Sequence, residues 1–191
     1  MSSADYEKIK SNWETYEKLC KKAVKHGIGD LLDALGERLV MCPSAPRVDQ
    51  GGAYAGGLVE HSIAVTACMR TINQAHDLNI STNSILKVGL LHDIGKVGGL
   101  ELDLFVEQDS DWHREKLGQM YKYNEDLSKM STSHRTLFLL QHFGVALSGE
   151  EWLAIQLAQG SHFEENRFYV GSEPTLALIL QQAKQMTLHK R

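Results

Sequence analysis

The sequence predicts an all-α fold, a single-domain helical bundle. Three observations carry that prediction. Only three prolines occur, at positions 43, 46 and 174, so long stretches are free to be helical. Apolar residues recur at intervals of three and four in several segments, which is the repeat of a helix face. Alternating strand patterns are nearly absent, and no internal repeat is evident. A chain of 191 residues can bury roughly 70% of its unfolded surface, so it needs no staples to hold a core.

Taken in order, residues 4–26 are polar and charged, with Trp13, Tyr16, Leu19 and Cys20 spaced as the inner face of an amphipathic helix. Gly27 and Gly29 break it, and Leu31, Leu32, Leu35 and Leu39 mark a second helix. From Cys42 to Gly57, two prolines and four glycines predict a loop. A third helix starts at Leu58 with the stripe His61, Val65, Cys68 or Met69, and Ile72. A fourth opens near Ser81–Ser84, carries Ile85, Val88 and His92, and ends near Gly95. Residues 97–132 read as irregular, with an apolar patch at Leu100, Leu102, Leu104 and Phe105. A helix over 133–147 follows, then a capping box at Ser148–Glu151 opening a helix to Gln159. A loop over 160–172 and a helix over 173–189 complete the chain, so 1–42 are N-terminal helices and 43–187 the core of one domain.

Composition narrows the function. Twenty Lys and Arg stand against 24 Asp and Glu, a net charge of −4, which gives no electrostatic footprint for a nucleic-acid partner but leaves room for a local phosphate pocket. No apolar run approaches the ~20 residues of a membrane span. The opening MSSADYEKIK lacks the apolar core of a signal peptide. Cys20, Cys42 and Cys68 form no CxxC pair, so a reducing, cytoplasmic setting is expected.

Two motifs carry chemistry. Gly56-Gly-Leu-Val-Glu-His61-Ser is a glycine-rich entry into a helix with a histidine in its first turns. Val88-Gly-Leu-Leu-His92-Asp93-Ile-Gly-Lys96 is an apolar helix ending in a His-Asp pair with a lysine just beyond. The 31 residues separating the two histidines allow a helix, a turn and a second helix, which returns His61 opposite His92. Imidazole and carboxylate are ligands for borderline and harder divalent metals. Such an ion polarises a phosphoryl oxygen, and Lys96 adds a fixed positive charge for phosphate. His76-Asp77 is a second His-Asp pair, but at a polar helix end, and reads as surface.

GGLVEHS and LLHDIGKV resemble the HD superfamily of metal-dependent phosphohydrolases, with its H…HD…D pattern on a helical bundle. Lys116–Tyr123 and Leu137–Gln141 look like its small stand-alone branch. The resemblance implies His61, His92 and Asp93 as ligands of one divalent ion (Mn, Fe, Ni, Co, Zn or Mg), with Asp93 and Lys96 in catalytic roles. It further implies a nucleotide or related phosphate ester as substrate. The late aspartate is replaced: Lys184 stands in its place, and Thr132 and Ala158 stand where a second metal would need histidines, so a second metal is not expected. His134, His142 or, best placed, His162 could supply a further ligand, and Glu164 or Glu165 the missing carboxylate. Alternatively Lys184 pairs with Asp93 and the chain is a catalytically inactive HD-like protein that binds a nucleotide or protein partner. A metal oxygenase on the same bundle would need the extra ligands this chain lacks. Arg47 and Tyr54 are candidates for the mouth of the site, while Lys122 and Arg135 read as solvated charges, Trp13, Trp112 and Trp152 as packing residues, and Cys68 as core.

Overall fold

The computed structural model describes residues 3–189. It is built on helices α1 (Ser3–Ala23), α2 (Ile28–Met41), α3 (Gly57–Ala75) and α4 (Thr82–Leu91), followed by a 3-10 turn over Ile94–Val97. A small excursion holds strand β1 (Phe105–Glu107), helix α5 (Asp111–Leu117) and strand β2 (Tyr121–Tyr123). Helices α6 (Thr132–His142), α7 (Gly149–Gln156) and α8 (Thr175–His189) return the chain to the bundle.

The core follows the helical stripes. Tyr16 and Cys20 of α1, and Leu31, Leu32, Leu35 and Leu39 of α2, are buried in one cluster that continues through α4 to Leu180 and Ala183 of α8. Helix α3 packs against both α4 and α8, while α1 lies across α4, where the Tyr16 hydroxyl donates to the Leu90 carbonyl at 3.0 Å. This is an all-α architecture in which α3, α4 and α8 form a central trio, and no described helix is long and apolar enough to cross a membrane.

Several local expectations hold. The predicted capping box is complete: Ser148 accepts from the Glu151 amide, and the Glu151 carboxylate accepts from the Ser148 amide. Lys87 of α4 adds an ion pair to that carboxylate at 2.8 Å, which ties α7 to α4. The helix predicted over 133–147 stops at His142 instead. Gly144 turns left-handed (φ 70°) and the Val145 amide donates back to the Leu140 carbonyl at 2.8 Å, a glycine-dependent helix stop.

The segment read as irregular, 97–132, contains an antiparallel pair, with Phe105 opposite Tyr123 and Glu107 opposite Tyr121. Strands of three residues are too short to show a two-residue repeat, so the periodicity could not reveal them. The pair is clamped to the preceding loop, because the Pro46 carbonyl accepts from the amides of both Met120 and Tyr121. That clamp makes the sheet one wall of the principal cavity.

Side-chain expectations need three corrections. Trp13 packs on the core, but Trp112 is 58% exposed and Trp152 43% exposed, so neither is a packing residue. Both sit on short helices, where spacing alone does not distinguish the inner face. Arg135, read as a solvated charge, is buried, and its guanidinium donates to the Ser128 carbonyl at 2.9 Å. Cys68 is partly buried against the core rather than within it.

Candidate functional site

His61 lies in the second turn of α3, and the glycines before it explain how the helix can begin there. A Cβ on Gly57 would sit 2.2 Å from the Gly52 carbonyl oxygen, so only glycine lets the loop over 42–57 close onto the helix start. The closure is fixed further by the Leu58 amide, which donates to the Cys42 carbonyl at 2.9 Å. His61 is thereby held inward, 2% exposed.

His92 caps the C-terminus of α4, and Asp93 opens the following 3-10 turn. Both are fully buried. Adjacent residues on a regular helix point about 100° apart. Here the helix has ended between them, so both side chains can turn toward His61. The rings of His61 and His92 lie 6.1 Å apart between centroids, and one ligand atom each from His61, His92 and Asp93 falls within 4.8 Å of the other two.

Helix α6 staples this turn. The Thr136 hydroxyl accepts from the Gly95 amide at 2.9 Å and donates to the His92 carbonyl at 3.2 Å. His92 Nδ1 lies 2.9 Å from the Gly89 carbonyl oxygen, an acceptor, so Nδ1 carries the proton and Nε2 is left as the bare nitrogen. Neither His92 Nε2 nor His61 Nδ1 has a hydrogen-bond partner, although both are buried.

Asp93 is held mainly by charge, and its Oδ2, like those ring nitrogens, makes no hydrogen bond. Its Oδ1 accepts from Gln159 Nε2 at 2.9 Å and from Lys184 Nζ at 3.1 Å, and its Oδ2 lies 2.8 Å from Lys96 Nζ. The side chains of Lys96 and Lys184 are only 18% and 12% exposed. Burial alone would raise the Asp93 carboxyl, but Lys184 and Lys96 outweigh it and hold it well below the usual carboxylate range. Burial pushes His61 down to about 2 and His92 to about 4, against the pull of Asp93, so both rings are neutral.

These shifts set an acid dependence. A histidine depressed by folding binds its proton more readily in the unfolded chain, so the stability it contributes is lost as pH falls below its unfolded value near 6.5. Asp93 adds a further loss below 3.8. Urea midpoints of metal-stripped protein are expected to fall steadily from pH 7 to pH 4.5, and His61→Gln is expected to flatten that slope. Equal slopes in the two proteins would contradict the assignment.

The donor set suits a borderline divalent ion: two neutral imidazoles and one carboxylate, compact and buried, with two ring nitrogens lacking partners. The group could hold a metal. The surrounding charge works against it, because unit charges about 4 Å apart interact by about 4 kcal/mol at an effective dielectric constant of about 20, and a dication doubles that figure.

His61 opens onto a cavity of about 600 Å³, and His92 and Asp93 lie fully buried behind its lining. Its lining includes His61, Lys96, Lys184 and Gln159, together with Phe105 and Tyr123 of the strand pair. Of the residues singled out by sequence, His61, His92, Asp93, Lys96 and Lys184 come together here. His162 is exposed and outside the ligand group, as are His134, His142, Glu164 and Glu165. Arg47 pairs with Asp49 on the surface, and Tyr54 borders a separate, smaller cavity. Lys122 pairs with Asp109, and His76 and Asp77 are exposed, as expected. Sequence reasoning missed Gln159, Thr136 and the Phe105–Tyr123 wall; none of these carries a motif.

A buried His-His-Asp group at the end of a helix, facing a lysine-lined cavity inside a helical bundle, defines an HD-type site. A family model described as HD domain matches residues 58–185, and the chain belongs to that family. Comparison with curated proteins and with solved structures finds no match. The HD domain points to the superfamily of metal-dependent phosphohydrolases, whose members typically bind a divalent metal.

Proposed function

We propose that the chain is a phosphohydrolase acting on a nucleotide or a related phosphate ester. The observation that carries this reading is the meeting of His61, His92 and Asp93, with His61 and Lys96 lining a cavity whose volume suits a small organic phosphate. His61, His92 and Asp93 would hold one divalent ion; when bound, it polarises the phosphoryl group and acidifies a water.

The chain's own residues supply the rest. Lys96 reaches the cavity from the turn after Asp93 and offers an ammonium to a non-bridging phosphate oxygen. The Gly89 carbonyl keeps the His92 proton on Nδ1, so that Nε2 faces the site as a lone pair. Gln159 orients the Asp93 carboxylate through Oδ1. The cavity walls at Leu104, Phe105 and Tyr123 shield one side of the reacting phosphate from bulk water.

The test is phosphate or nucleoside release from a nucleotide panel with Mn, Co, Ni, Fe, Zn or Mg. Turnover is expected with at least one metal and is expected to drop to background when His92→Ala and Asp93→Ala are combined. Activity that survives both changes rules the mechanism out.

A further inference from the structure

Within this candidate centre, the two kinds of ligand are treated differently by the fold. The histidines are ready: a nitrogen of each ring is buried without a hydrogen-bond partner, and the Gly89 carbonyl fixes the His92 ring. The carboxylate is occupied, with an ammonium at each oxygen and an amide at one of them. Lys96 belongs to the same turn as Asp93, but Lys184 arrives from α8, 91 residues away in the chain. The flanks of Lys184 are fixed, since Leu180 and Ala183 are fully buried in the core. Its stem therefore starts from a set point and its ammonium is delivered to Oδ1 by the packing of α8 on α3.

We propose that Lys184 is a built-in competitor for the cation: its ammonium occupies Asp93, and a divalent ion reaches His61, His92 and Asp93 only by displacing it. This rests on the metal reading given above and adds a charge that any entering ion must displace. Charge rather than ligand geometry is the obstacle. Removing the Lys184 ammonium while keeping the stem takes one of the two positive charges off the carboxylate, leaving the Gln159 and Lys96 contacts and the two ring nitrogens unchanged.

The experiment measures cobalt(II) and manganese(II) binding to metal-stripped full-length protein. Calorimetry gives the affinity, and the visible absorption of cobalt(II) reports its ligand field. Lys184→Met and Lys184→Gln are expected to bind at least tenfold more tightly than the wild type. Lys184→Arg, which keeps the charge, is expected to bind as weakly as the wild type. Lys184→Asp, which adds a carboxylate, is expected to bind most tightly. The gain is expected to vanish when His92→Ala is added to Lys184→Met. Circular dichroism checks that each variant is folded, and Lys184→Gln serves if the methionine variant is not.

Wild-type binding as tight as that of Lys184→Met and Lys184→Gln would overturn the competition while leaving the metal centre standing. Absence of binding in every folded variant, Lys184→Asp included, would overturn both. Tighter binding by Lys184→Arg than by the wild type would also overturn it, because shape and not charge would then be the obstacle.

Discussion

Replacing Asp93 with alanine is expected to destabilise the protein by about 3–5 kcal/mol, the usual cost of removing one partner from a buried ion pair. The carboxylate is fully buried and serves two ammoniums, each less than one-fifth exposed. Without it, Lys96 and Lys184 face each other across a low-dielectric space with no counter-charge, and the Gln159 amide loses its acceptor. Asp93→Asn, which keeps the shape, is expected to lose less. Adding Lys184→Met to Asp93→Ala is expected to recover part of the loss, because one stranded charge is then gone. Urea denaturation monitored by circular dichroism measures all four proteins. A wild-type-like midpoint for Asp93→Ala would mean that both lysines reach solvent freely.

Gly95→Ala is the second change with a large expected effect, about 3 kcal/mol, at the upper end for one methyl forced into a packed site. A Cβ there would lie 2.6 Å from both the Thr132 carbonyl oxygen and the Thr136 amide nitrogen, and 2.9 Å from the Thr136 hydroxyl. Two of those three atoms are backbone and cannot rotate away. The turn would have to leave α6, breaking the hydrogen bonds that seat His92 and Gly95. Gly29→Ala is the matched control: nothing lies within 4 Å of its added methyl, and the position is helical. Its melting temperature is expected to be unchanged or slightly raised, because alanine is the better helix former. Equal melting temperatures for the two variants would show that α6 yields easily.

The contrast between these glycines shows what the sequence could reveal. HDIGK states the His-Asp pair, the turn and the lysine in five consecutive residues, so the candidate ligands were legible at once. Lys184 was legible as a departure, because it stands where the family places an aspartate, and its pairing with Asp93 follows from opposite charge at that place. Gln159 was not legible. An uncharged amide at a helix end has no signature, and only the fold brings it 2.9 Å from Asp93. Arg135 was misread for a related reason: its burial depends on a carbonyl seven residues earlier in a loop, which helix periodicity does not encode. The strand pair was hidden by its brevity, yet it forms a wall of the cavity.

The long separation of Asp93 from Lys184 also orders events during synthesis. At ribosomal rates of roughly 5–20 residues per second, the aspartate is made several seconds before its distant lysine. In that interval the nascent chain already contains both histidines and the carboxylate, and no rival ammonium from the last helix exists. The helix that brings the rival ammonium is also one that packs on α3, so the ligand group is assembled only as its competitor arrives.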